Sequence, residues 1–238
     1  NPLLKLVDLF AIAKLAKSHS IVTAADNTFA SPIVQNPLDL GVDIVMHSAT
    51  KYFGGHSDIS AGAVASSQEI MDKIWNLSKD FGGNLSDYTV WLLERSMKTL
   101  GIRVKAQQRN AKRLAKFLNK HTAVKSVYYP GLKTNEYHGL AKIQMKGFGA
   151  MMSFELTEEY NAEAFLKALE LIKPSMSLAG VESTMLLPSK TSHALLSDSD
   201  RFSQGITDQL IRFSVGIENK SDLINDIEQA ISASHSKR

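Results

Sequence analysis

The sequence predicts an α/β protein, with a mixed, mostly parallel sheet followed by a smaller α+β unit. Short β-branched runs that end in polar residues alternate with amphipathic stretches, the pattern of strands and covering helices. After the turn signal Tyr129-Pro130-Gly131 the rhythm changes to shorter elements. The 238 residues, 44% hydrophobic and 21% charged, are enough for one large globular unit or two small ones.

From Asp8 to Ser18, Phe10, Ala13 and Ala16 recur opposite Lys14, Lys17 and Ser18, which predicts a helix capped by Asp8. Ser20–Ala25 is expected as a buried strand closing on Asp26, Asp43–Met46 as a second closing on His47-Ser48, and Ala61–Ala65 as a third. Glu69–Ser78 reads as a helix. Ser86 to Asn119 is a longer helical stretch broken near Gly101, with Ser86 and Asp87 as cap candidates. Beyond it, Ala123–Tyr128, Ala150–Leu156 and Leu210–Val215 are expected strands. Asn161–Ile172 and Ser221–Ser232 are expected helices, and Ser232–Arg238 a frayed polar tail. The boundary is placed at the end of the long helix, giving units 1–118 and 119–238. Asn1-Pro2-Leu3-Leu4 lacks the features of a signal peptide and reads as the middle of a domain. Leu3, Leu4, Leu6, Val7 and Phe10 call for apolar partners upstream, so the chain is expected to be part of a longer one.

Composition removes several classes of function. With no cysteine there is no disulfide framework, thiolate metal site or cysteine nucleophile, which fits the cytoplasm. No apolar run approaches the roughly 18 residues of a membrane helix. A net charge of +3 with interspersed signs is no nucleic-acid footprint. The cations Arg95, Lys98, Arg103, Lys105, Arg109, Lys112, Arg113 and Lys116 read as a solvated helix face, with Arg103 and Arg201 as surface or interface charges. The seven histidines are scattered without H-E-x-x-H, so no metal site is expected. His47 and His56 read as packing residues, and Met145, Met151, Met152, Met176 and Met185 as core filler.

The densest polar cluster is Asp26-Asn27-Thr28, then His47-Ser48-Ala49-Thr50-Lys51-Tyr52 and Gly54-Gly55-His56-Ser57-Asp58. If Asp26 and Ser48–Lys51 end neighbouring strands, they converge on one crevice. Three chemistries are then open. A desolvated Lys51 can form an imine with a carbonyl. Pyridoxal phosphate would further need a carboxylate at its ring nitrogen (Asp26), phosphate donors (Ser48, Thr50) and a carboxylate clamp for the substrate, for which Arg212 on a late strand is the candidate. Ser48-Ala49-Thr50-Lys51 also matches the S-x-x-K of a serine hydrolase, though its companion S-D-N and K-T-G elements are missing. Gly54-Gly55 and Gly147-Phe148-Gly149 fit neither nucleotide-loop pattern.

Val22–Asp58 closely resembles the Cys/Met-metabolism family of pyridoxal-phosphate enzymes, which includes cystathionine γ-synthase, cystathionine γ- and β-lyases, methionine γ-lyase and O-acylhomoserine sulfhydrylases. Leu100-Gly101-Ile102-Arg103, Gly147-Phe148-Gly149-Ala150-Met151, Ser177-Leu178-Ala179-Gly180-Val181-Glu182-Ser183 and Arg212-Phe213-Ser214-Val215-Gly216-Ile217-Glu218 extend the resemblance to essentially the whole chain. It implies an aspartate-aminotransferase-like fold (fold type I), here with a partial large domain, and trans-sulfuration chemistry on a small amino-acid substrate. It further implies that Lys51 carries the cofactor and moves protons between substrate carbons. Asp26 would keep the ring nitrogen protonated, Ser48 and Thr50 would bind the phosphate, and Ser177 and Arg212 would hold the substrate α-carboxylate. Met176 leans against a cystathionine specialist, γ-elimination or γ-replacement is the favoured outcome, and a homotetramer (a dimer of dimers) is expected. A rival expectation is a fragment that is inactive without its N-terminal partner.

Overall fold

A computed structural model describes residues 1–235. Helix α1 (Leu9–Ser18) starts where the Asp8 carboxylate accepts the Ala11 N–H at 2.9 Å. Ala13 is its buried residue, but Phe10 is 62% exposed, because the helix's main neighbour, the short turn Pro37–Leu40, is too small to cover it. Strand β1 (Ala24–Asp26) begins later than the apolar run suggests. Ser20 adopts a φ of 55° and the Ile21 N–H returns to the Ala16 carbonyl, so this segment closes α1 and leaves Ile21 and Val22 exposed.

After helix α2 (Ser31–Val34) the chain enters strand β2 (Ile44–Ser48), parallel to β1, with Asp26 opposite Met46. Strand β3 (Gly62–Ser66) pairs antiparallel on the other side of β2, so this sheet is mixed. Helices α3 (Gln68–Phe81), α4 (Asp87–Met97) and α5 (Leu100–Leu118) follow. Ser86 caps α4 by accepting the Thr89 N–H. The break falls at Lys98–Thr99 rather than Gly101: Thr99 leaves helical geometry at φ −105°, ψ 1°, and Gly101 sits in the first turn of α5.

The second sheet has the order β4-β5-β8-β7-β6 and is antiparallel except for β6 with β7. Its elements in chain order are β4 (Val124–Tyr128), α6 (His138–Gln144), β5 (Met151–Leu156), α7 (Ala162–Ala168), β6 (Lys173–Pro174), β7 (Thr184–Leu186), α8 (Asp198–Ser203), β8 (Leu210–Ser214) and α9 (Lys220–Ala233). Every residue of β5 and β8 is buried. Helix α5 lies across β5, and α9 packs on both α5 and α7. Phe154 meets Phe165 edge-on at 6.0 Å within this core, beside Phe213, Leu114 and Ile227. Each such side chain removed from water contributes about 1.5–3 kcal/mol.

Several expected surface features are interior ones. Arg201 is 5% exposed, held by Asp198 at 2.8 Å, Asp208 at 3.0 Å and the Ile206 carbonyl. Met151, Met152 and Met185 are buried as expected, whereas Met176 stands exposed. Ser232 and Ala233 complete α9 instead of fraying, and His235 bridges to Tyr160; residues 236–238 of the expected tail lie outside the described residues. Among the described residues, no helix is long and apolar enough to cross a membrane.

Helix α7 stops at Ala168, short of Ile172, because the next amides have a better acceptor. The buried Asp226 carboxylate on α9 takes the N–H groups of Glu170, Leu171 and Ile172 at 2.8, 3.1 and 2.8 Å. Asp226→Ala strands the buried Ile172 amide and removes the acceptor of the part-buried Glu170 and Leu171 amides, and is expected to cost about 1–3 kcal/mol. Urea denaturation checks this, and an unchanged midpoint contradicts it.

Candidate active site

The end of β2 runs straight into a tight turn, Thr50–Gly54, in which Lys51 adopts φ −82°, ψ −118°, outside helical geometry. The Gly54 N–H bonds the Ala49 carbonyl at 2.8 Å and the Gly55 N–H bonds that of Lys51 at 2.7 Å. Gly55 has φ +74°, a conformation that favours glycine. Asp26, the last residue of β1, accepts the Thr28 N–H at 2.9 Å. The Thr28 hydroxyl in turn accepts the Ser48 N–H at 2.8 Å. Thr28 thus ties the acid's turn to the strand that leads to Lys51.

Asp26, Ser48 and Lys51 line one cleft of about 420 Å³, with Thr28, Phe29 and Phe148. Among the described residues the Lys51 amine, the Ser48 hydroxyl and the second Asp26 oxygen make no side-chain hydrogen bond. Thr50 does not line the cleft. Its hydroxyl accepts the Ala61 N–H at 2.9 Å and donates to the Ala61 carbonyl at 3.3 Å, stitching the turn to the entry of β3. His47 meets Phe53 edge-on at 4.8 Å, and burial holds its imidazole below the usual range against the opposing pull of Asp26. His56 Nδ1 lies 2.7 Å from the Gly54 carbonyl.

Arg212 lies on β8, 6% exposed, and donates to the Met176 carbonyl at 3.1 Å, which sets its guanidinium against the loop carrying Ser177. Burial lowers its pKa, yet a guanidinium stays charged. That loop is pinned by Thr184 Oγ1 donating to the Ser177 carbonyl (3.0 Å) and by the Ala179 N–H donating to Ser214 Oγ (2.7 Å). Neither Ser177 nor Arg212 lines the cleft, but Leu178 does. The structure therefore gathers the predicted residues as two groups joined at this loop.

Arg103, expected at the surface, is 5% exposed. It reaches from α5 to the Tyr52 and Phe53 carbonyls at 2.9 and 3.1 Å. Gln107, one turn on, donates to the Gly180 carbonyl at 2.7 Å. Both act on backbone, which leaves no trace in local sequence. The available signal was polar residues at i, i+4 and i+7 (Arg103, Gln107, Asn110) in a helix that also buries Val104, Ala111 and Leu114.

Comparison with known proteins gives the family. The family model described as Cys/Met metabolism PLP-dependent enzyme matches residues 1–232. The chain belongs to this family. It is 46% identical over 232 residues to cystathionine gamma-lyase of Bacillus subtilis, covering 97% of this chain and 61% of that protein. L-methionine gamma-lyase of Fusobacterium nucleatum subsp. polymorphum is 44% identical over 235 residues, with 97% and 60% covered. The crystal structure of cystathionine gamma-lyase from Lactobacillus plantarum complexed with L-serine superposes with a TM-score of 0.95 at 45% identity, over 98% of this chain and 62% of that one. The chain thus spans about 61% of the length of the curated relatives it matches. The fold is that of these fold type I enzymes.

The family's cofactor, pyridoxal phosphate, fits the donor set on the cleft: an unpartnered amine, a carboxylate with one free oxygen and a hydroxyl.

The depressed His47 pKa makes a pH prediction. The folded state binds its proton more weakly than the unfolded chain, whose imidazole titrates near about 6.5. The neutral form's contribution is complete above that value and is lost as pH falls through the lower folded pKa. His47→Phe, which can keep the contact with Phe53, is expected to flatten the acid limb of stability. Melting temperatures of both proteins across pH 5–8 check this; parallel curves contradict it.

Proposed function

We propose that the complete protein is a pyridoxal-phosphate-dependent enzyme that eliminates or replaces the γ-substituent of sulfur amino acids or O-acylhomoserine. The observation that carries this reading is the convergence of Lys51, Asp26 and Ser48 on one cleft. In this reading residues 1–118 belong to the large cofactor-binding domain and 119–238 form the small domain; one sheet on each side of the long helix supports the division.

Asp26 is assigned to the ring nitrogen, whose proton its carboxylate would hold. Ser48 supplies a phosphate donor. Thr50 joins it only if its hydroxyl leaves the Ala61 carbonyl. When bound, the cofactor supplies an electron sink that makes the substrate's α carbon acidic. Lys51 Nζ then takes the α proton and moves protons at the β carbon, as a general base with no competing partner among the described residues. Arg212 holds the substrate carboxylate through its fork of donors, with Ser177 beside it.

Borohydride reduction of the complete protein is expected to fix the cofactor on Lys51, and Lys51→Ala to lower kcat by about 10³-fold or more; label on another lysine overturns the assignment. A panel of γ-substituted amino acids separates released 2-oxobutanoate from new thioether. Pyruvate from cystathionine would instead favour β-elimination, the activity named in relatives such as cystathionine beta-lyase of Lactococcus lactis, also 46% identical.

The reading includes a homo-oligomer, a dimer of dimers. Exposed Trp75, Phe81, Tyr88 and Trp91 on α3 and α4 support it, since soluble monomers rarely show so much aromatic surface. Light scattering of the complete protein is expected to give four subunits, and a monomer contradicts this.

A further inference from the structure

The buried guanidinium of Arg103 makes four hydrogen bonds, and none of its partners is an acid. Nε donates to the Thr99 hydroxyl at 3.0 Å and Nη1 to the Tyr52 carbonyl at 2.9 Å. Nη2 donates to the carbonyls of Phe53 at 3.1 Å and Ser96 at 3.0 Å. No carboxylate lies within ion-pair reach of it among the described residues. A buried cation whose partners are all neutral is costly unless the geometry is good. Two of those carbonyls belong to the residues directly after Lys51.

The close approach is built into the sequence of the turn. A Cβ on Gly55 would collide with Arg103 Nη1, so any larger residue there would displace the guanidinium, and the positive φ also favours glycine. The same residue's carbonyl accepts the Val181 N–H at 2.9 Å, linking the Lys51 turn to the Ser177–Ser183 loop. That loop hangs on the same helix through Gln107 and the Gly180 carbonyl. Asn110 continues the series, donating to the carbonyls of Gly216 and Glu218 at 3.1 and 2.8 Å, just past the strand that carries Arg212. One face of α5 therefore grips the backbone beside Lys51, beside Ser177 and beyond Arg212.

We propose that Arg103 is the positioning residue for Lys51, fixing the turn from which the amine projects and, through Gly55 and Val181, its placement relative to the carboxylate-binding loop. This rests on the reading of Lys51 given above. The alternative is a purely structural role, in which the guanidinium stabilises the fold without setting the amine.

Arg103→Lys keeps the charge but loses the planar fork that bonds two carbonyls at once. In the complete holoenzyme it is expected to retain cofactor stoichiometry while kcat falls about 10- to 100-fold, as a displaced reacting group does, and KM changes less than about threefold. The pH midpoint of the bound cofactor's visible absorption is expected to move with it, a signature that fold stabilisation alone would not alter. Thr99→Val removes the Nε acceptor, together with the hydroxyl's own bond to the Ser96 carbonyl, and serves if Arg103→Lys does not fold; a smaller change in both kcat and midpoint is expected. Wild-type kcat and midpoint in whichever variant folds overturn the proposal. Turnover that survives Lys51→Ala defeats the functional reading instead, so the two failures are distinguishable.

Discussion

The site depends on a buried cation that has backbone carbonyls in place of an acid. Arg103 takes the carbonyls of Tyr52 and Phe53, which the sharp turn after β2 would otherwise leave unpaired beneath the cleft. An inner carbonyl without a donor costs about 1–3 kcal/mol. The turn itself departs from helical geometry at Lys51 and depends on a left-handed Gly55. The guanidinium, the glycine and the unusual backbone at Lys51 are therefore one constraint seen from three residues.

That constraint ties the loops of two sheets together, as the proposed reading requires. The first sheet contributes Asp26 and Ser48 from the ends of parallel strands, where α/β sheets place their ligand sites. In the proposed reading the second adds Arg212 from a fully buried strand and Ser177 from the loop beside it. Helix α5 belongs to neither sheet, and its polar row Arg103, Gln107 and Asn110 reaches the loops of both. Gln108, on another side of the same helix, accepts the N–H groups of Phe148 and Gly149, and Phe148 lines the cleft.

Much of this was legible from residues alone. Strands, caps and helices with a clear period were placed close to where they lie: Asp8 and Ser86 cap as expected, and β5 and β8 lie within the predicted runs. Four-residue elements such as α2 carry too few turns to show a period. The end of α7 was hidden because Asp226, distant in sequence, stops it. The candidate cluster was visible as a density of polar residues at strand ends, and family resemblance assigned the roles. What escaped was the support. Arg103 and Arg201 looked like solvent charges because sequence shows neither the carbonyls nor the acids that neutralise burial. Thr28 stood out only as a member of the polar cluster, and its hydroxyl is the acceptor for the Ser48 amide.

Amide hydrogen exchange of the complete protein tests most directly whether α5 holds the two loops as one body. The amides of Gly54, Gly55 and Val181, bonded to Ala49, Lys51 and Gly55, are expected to exchange as slowly as those of Ala111–Leu118 in the buried half of α5. Rapid exchange at Gly55 and Val181, with α5 still protected, would contradict the account.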